Sequence, residues 1–167
     1  MVLKELYKLI LAQLAAELSI AHIDLWNGQT EFEDAQQAFN RPAIFFEIEN
    51  APFRLLGRKA FEGDCTFNLH LVSDLIQDTD STEDEEVRNL GLDHLDLIST
   101  VIYQMHNLSS EANGIGSILY TGVKQFDSNF AGTIHHVLSF NVSLMDNSAK
   151  HATIKQTVTY TATVSKQ

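Results

Sequence analysis

The hydrophobic pattern changes period several times along this chain, and each change marks an element. In residues 2–18, VLKELYKLILAQLAAEL, the residues Leu3, Leu6, Ile10, Leu14 and Leu18 fall on one stripe. Leu, Ala, Glu, Lys and Gln favour helix, so a helix of about 15 residues is predicted. In IDLWNGQTEFEDA, Ile23, Leu25 and Trp26 suggest a short strand, ended by the Asn27-Gly28 turn. PAIFFEIEN, opened by Arg41-Pro42, alternates: Ile44, Phe46 and Ile48 on one face, Phe45, Glu47 and Glu49 on the other. Residues 50–62 read as a polar connection. DCTFNLHLVS alternates again, with Cys65, Phe67, Leu69 and Leu71 opposite Thr66, Asn68 and His70. Such alternation predicts a sheet covered on one face and wet on the other.

From Asp80 to Leu108 the period lengthens to that of a helix. Val87, Leu90, Leu95, Ile98, Ile102, Met105 and Leu108 form a stripe, widened by Leu92, Leu97 and Val101. Asp80, Ser81 or Thr82 can cap it, and the acids Glu83 to Glu86 fall in the first turn, where free backbone N–H groups favour negative charge. Three strand patterns follow: residues 118–126, 133–145 and 153–164, joined by the turn-rich DSNFAG and DNSAKHA. In the second, Ile134, His136, Leu138, Phe140, Val142 and Leu144 share a face. In the third, Ile154, Val158, Tyr160, Ala162 and Val164 oppose a row of threonines. The last two patterns exceed the usual strand length of about 3–10 residues, so such a strand projects or pairs with another chain. The order predicts one α+β domain over residues 1–167. Its sheet is largely antiparallel, with the N-terminal helix and one long central helix on one face and a long C-terminal β-hairpin.

Composition narrows the function classes. Eleven Lys and Arg against 22 Asp and Glu give a net charge of −11, which opposes gripping nucleic acid through its phosphates. Cys65 is the one cysteine, so no internal disulfide forms. The amphipathic N-terminus lacks the uninterrupted apolar block of a signal peptide, and no apolar run reaches the length of a membrane span, so no transmembrane helix is expected.

Candidate chemistry is thin. The acids Asp74, Asp78, Asp80 and Glu83 to Glu86 lack the glycine of a calcium loop and read better as a solvated helix start. His135 and His136, neighbours in a strand, point to opposite faces and do not easily share a metal. His94 beside Asp93 or Asp96 is the one general-base candidate, and no nucleophile accompanies it. Cys65 reads as a buried, inert thiol. GIGS at 114–117 lacks the lysine and glycine spacing of a phosphate loop. No catalytic, cofactor or metal residue is therefore predicted. The basic trio Arg54, Arg58 and Lys59 reads as a loop against acidic neighbours, and functionally as an intersubunit salt bridge. Thr157, Thr159 and Thr161 belong either to a solvated edge strand or to a strand pairing across a subunit boundary.

ELYKLILAQLAAEL, PAIFFEIEN, CTFNLHLVSD with its acidic exit, VRNLGLDHLDLISTVIYQMHNL and GVKQFDSNFAGTIHHVLSFNVSLMD run in this order over most of the chain. In that layout the chain resembles the phage tail terminator and tail completion proteins. The resemblance implies a small α+β subunit of a ring, commonly a hexamer, at the head-proximal end of a tail tube. Such a ring stops tube growth and joins tail to head in the virion, after assembly in the host cytoplasm. Its partners are copies of itself, tail tube and head connector proteins, with no cofactor and no membrane. DNA passes without specific binding, and an electronegative bore would repel its phosphates. Asp78, Asp80, Glu83 and Asp84 are the acids considered for that bore. The alternatives are another neck or adaptor ring protein, a small metal-binding hydrolase using His94, Asp93 or His136, and an adaptor that takes up peptides by strand addition.

Overall fold

A computed structural model describes residues 1–31, 39–57, 60–74, 82, 84–127 and 132–146. Helix α1 (Val2–Glu17) precedes strands β1 (His22–Leu25), β2 (Ala43–Asn50), β3 (Phe53–Gly57) and β4 (Ala60–Asp74). Helix α2 (Glu85–Met105), β5 (Leu119–Gln125) and β6 (Thr133–Asp146) follow. The sheet runs β1-β2-β4-β6-β5, and β3 pairs with β4 off that path. Every pairing is antiparallel except that of β1 with β2. The predicted α+β class and the two helices are thus found. The last predicted strand, 153–164, and with it the C-terminal hairpin, lies outside the described residues.

The β4–β6 ladder is the spine. It runs unbroken from Phe61 opposite Asp146 to Asp74 opposite Thr133. Its inner face carries Cys65, Phe67, Leu69 and Leu71 of β4 and Leu138, Phe140, Val142 and Leu144 of β6, all buried. Phe67 and Phe140 stack across the ladder with ring centroids 5.3 Å apart. Both helices supply the other half of this core, through Val2, Leu6, Ile10 and Leu14 of α1 and Ile98, Val101 and Met105 of α2.

Leu6, Ile10 and Leu14 of α1 and Ile98 and Met105 of α2 are buried as their stripes predict, and the stripes differ from the sequence reading at their edges. In α1 the buried positions step by four from Val2, and Leu3 is only partly buried. Helix α2 starts at Glu85, later than Asp80, and Asp84 in the cap position makes no side-chain capping bond. Its buried row is His94, Ile98, Val101 and Met105, while Leu92 and Leu95 face outward. A stripe of seven apolar residues was wider than the contact the sheet offers, so its edge is left in solvent.

Two further expectations are corrected. Residues 50–62 are not simply a polar connection: β3 folds antiparallel onto the start of β4, with Arg54 opposite Glu62. The outer face of the sheet is not uniformly wet either. Ala43, Phe45 and Val72 form a second buried cluster there, against Trp26 and Phe39. The cause is the chain after β1, which crosses that face instead of leaving it, and buries Gln29 and Thr30. Among the described residues no helix is long and apolar enough to cross a membrane.

Candidate functional site

Two features stand out from the plain core: a projecting strand arm, and a row of histidines on each face of the sheet. The arm is β3 with the first residues of β4 and the last of β6. All five residues of β3 are exposed. The arm presents Phe53, Leu55, Leu56, Phe61 and Met145 to solvent, with Leu55 63% exposed. A cleft of about 260 Å³ opens between it and the start of α1, lined by Met1, Val2, Leu3, Phe53, Phe61 and Asp146. The Val2 N–H donates to Asp146 Oδ2 at 3.2 Å, a carboxylate set against the positive end of α1. The outer edge of β3 forms no ladder with any strand of the chain's described sheet. Contiguous exposed apolar surface with an unpaired edge is the usual mark of a contact surface.

Of the residues picked out from the sequence as interface or bore, two are described. Arg54 lies on the arm, 78% exposed on its side chain. Its Nε and Nη2 both donate to Glu62 Oε2, at 3.2 and 2.8 Å, so its first partner is a cross-strand neighbour within the chain. That bond raises the guanidinium pKa above its ordinary value. Asp84 stands exposed just before α2, where Glu85, Glu86, Asn89 and Asp93 line an open groove. Arg58, Lys59, Asp78, Asp80, Glu83, Thr157, Thr159 and Thr161 lie outside the described residues.

His135 and His136 take opposite faces, as strand geometry requires. On the outer face His135 Nε2 and His70 Nδ1 are 3.0 Å apart. His135 Nδ1 lies 3.1 Å from Thr30 Oγ1, and His70 Nε2 lies 3.0 Å from Glu47 Oε2. One donor order satisfies every atom. The Thr30 hydroxyl donates to His135, the His135 Nε2–H to His70, and the His70 Nε2–H to Glu47. Asn68 Nδ2 donates to the same Glu47 oxygen at 2.9 Å, and Ser139 Oγ donates to Asn68 at 2.8 Å. Trp26 lies flat on His70, centroids 3.9 Å apart and planes 7° apart. His70 and His135 are 3% and 1% exposed.

On the inner face, under α2, His94 Nε2 and His136 Nδ1 are 2.7 Å apart, and Ser73 Oγ meets His94 Nδ1. His94 is therefore oriented by Ser73 and His136, not by Asp93 or Asp96. The row fixes β4, α2 and β6 to one another. Among the described residues no three His, Cys, Asp or Glu groups come together as a metal would require.

Burial disfavours imidazolium in all four rings. It lowers His135 to about 3, with His70 and His136 adding repulsion, and His94 to about 4, with His136 adding to it. His136 is lowered by burial alone. In His70 burial also prevails, against the hydrogen bond and charge of Glu47. For Glu47 burial opposes the charge, but bonds from Asn68 and His70 outweigh it and the carboxyl stays below its usual value. At neutral pH all four imidazoles are neutral and the outer row from Thr30 to Glu47 is fully bonded. Burial also pushes the Cys65 thiol up to about 11, which makes it an inert core residue.

The arm was invisible to sequence patterning because Arg54 interrupts the apolar positions and Arg58 and Lys59 follow closely. The signal for it was FRLL, apolar on three of four residues. The histidine partners were invisible because they join residues far apart in the chain, His70 with His135 and His94 with His136.

No family model and no curated protein matches this chain. Among solved structures it is similar to a chain in the structure described as "Virion of native gene transfer agent (GTA) particle". That match has 10% identity, 84% of this chain and 95% of the other covered, and a TM-score of 0.48. A likeness of that degree decides nothing about role.

Proposed function

We propose that this chain is a structural subunit that works by assembly: a ring at the head–tail junction of a phage-type tail, which caps the tail tube, joins it to the head and lets DNA through. The observation that carries this reading is the arm. A strand with every residue exposed, three of them large and apolar, lies on a ladder as long as β4–β6. Left uncovered, such an edge invites aggregation; covered by the next copy, it becomes a joint. The outer edge of β5, unpaired among the described residues and with Leu119 and Val123 exposed, offers a second joint on the opposite side of the sheet. Two different edges on one subunit suit the head-to-tail contacts of a closed ring. Exposed Leu92, Leu95 and Tyr103 on α2 add a third surface for a neighbouring protein of the particle.

The net charge of −11 supports a bore that DNA slides past, since acids facing phosphates repel them. Asp84 with the following acids of α2 is the described group suited to such a lining. Thr157, Thr159 and Thr161 are proposed as a further subunit contact. The histidine rows support the same reading as structural clasps: their rings bond to one another and to Thr30, Glu47 and Ser73, and Trp26 fills the space above His70.

Native mass spectrometry of the purified chain, with electron microscopy of any assembly and binding to isolated tail tubes, tests the proposal. Closed rings that cap tubes support it. A monomer at every concentration that ignores tubes overturns it. Rings that settle elsewhere in the neck of an intact particle would favour an adaptor over a terminator.

A further inference from the structure

The outer histidine row is bonded to the turn that follows β1. The turn after β1, from Trp26 to Thr30, crosses the outer face of the sheet. Trp26 N–H donates to the Phe46 carbonyl at 2.9 Å, and Thr30, fully buried, reaches the sheet through its hydroxyl on His135. Beneath the turn lie Ala43, Phe45 and Val72, the second apolar cluster. We propose that Glu47, His70, His135 and Thr30 form an acid-released clasp, which at neutral pH holds the Trp26–Thr30 turn over this apolar face and on acidification lets it go while the sheet and helices stay folded.

The mechanism follows from donor counting. The neutral row has one donor for each acceptor from Thr30 to Glu47. A first proton can enter: His70 then donates from both nitrogens, to Glu47 and to His135 Nε2, and His135 turns its Nδ1–H toward the Thr30 oxygen. Glu47 from β2 and Glu31 from the turn favour that charge, while Lys124 from β5 opposes it. A second proton cannot be placed. It would set two N–H groups head to head across 3.0 Å and two positive rings side by side. His136, one residue along β6 on the other face, adds to the repulsion on His135 when it too is charged. His70 and His135 separate without unzipping the β4–β6 ladder by swinging outward, and the turn sits on that exit together with Phe126 from the end of β5. Trp26 on His70 and Thr30 on His135 are displaced together.

Below the clasp the helix side is sealed separately. His94 of α2, His136 of β6 and Ser73 of β4 face one another there, and burial lowers both of these rings as well. The layer of α1 and α2 rests besides on the large apolar core. The outer face has only a small one, so it opens first.

Trp26 is the one tryptophan of the chain and reports on the clasp directly. Its emission, followed from pH 8 to below pH 3 beside the far-ultraviolet circular dichroism of the same full-length sample, tests the proposal. The expected result is quenching by charged His70 and then a red shift, both complete before the dichroism changes. His135→Gln keeps an amide in the row but removes the second charge, and it is expected to abolish the red shift and keep the quenching. Thr30→Val removes only the hydroxyl and is expected to move the red shift to higher pH. A red shift that coincides with loss of dichroism, no shift while dichroism persists, or a midpoint unchanged in Thr30→Val would each overturn the proposal. So would an unaltered red shift in a folded His135→Gln variant.

Discussion

Gly63 lies so close beneath Pro52 that a Cβ at residue 63 would overlap the Pro52 carbonyl oxygen. The two residues bring β3 down onto β4 where the arm begins, with Phe53 opposite Gly63 in the ladder. The bareness of one position thus sets the direction of a whole exposed strand.

Gly63→Ala should lift Pro52 and the start of β3 away from β4. The neighbour in the way is backbone, so relief by a side-chain rotation is not available. Crowding of this kind costs about 1–3 kcal/mol. Hydrogen exchange should show the loss confined to residues 53–57 and the start of β4, with the amides of Phe67 to Leu71 unchanged. Uniform loss across the ladder would mean that the arm is not a separable unit.

Replacing both Leu55 and Leu56 by Glu should leave the fold alone and abolish assembly. Both side chains are exposed, and surface substitutions of that kind stay within about 0.5 kcal/mol. Thermal unfolding should therefore be nearly unchanged, while sedimentation shifts to the single chain. Assembly that survives the double substitution would move the joint elsewhere on the subunit.

The register of α2 makes a paired prediction. Met105 is fully buried against the sheet, and Met105→Ala should cost about 2–5 kcal/mol in urea unfolding. Leu95 lies on the same helix but faces out, so Leu95→Ala should change stability by no more than about 0.5 kcal/mol. A large effect at Leu95 in an assembly, absent in the single chain, would instead mark it as a subunit contact.

Acid should weaken the fold from the histidines first. His135 and His94 bind protons at about 3 and about 4 in the folded state, against an ordinary value of 6.5 once unfolded. The unfolded chain therefore takes up protons that the native one refuses. The stability these rings contribute is complete above about 6.5 and drains away as pH falls toward the folded values. Glu47, held below its ordinary 4.5, adds a loss in the same direction only below that value. Denaturation at pH 7.5 and pH 5 should differ by on the order of a few kcal/mol. His94→Gln should reduce the difference.

Much of the layout can be read from periodicity alone. The alternation in FNLHLV and HHVLSFNVSL places Phe67, Leu69, Leu71, Leu138, Phe140 and Val142 on one face, and that face is the core. Leu6, Ile10 and Leu14 are legible in the same way. What periodicity cannot give is where an element stops being useful. Leu95 fits the helical stripe as well as Ile98 does, and only the width of the sheet beneath decides which is buried. Phe45 sits among the outward residues of β2, and only the packing of Trp26 and Phe39 over that face makes it core. His70 and His135 each look like surface polar positions in a strand. Their burial depends on a partner far along the chain and a turn that closes over both.

In the proposed ring, copies of this chain join through the arm and the sheet edges. Native mass spectrometry of the full-length chain beside its Leu55→Glu, Leu56→Glu variant tests that claim most directly. The account predicts one discrete closed oligomer for the unaltered chain and a folded monomer for the variant. A monomer in both, or the same oligomer in both, would contradict it.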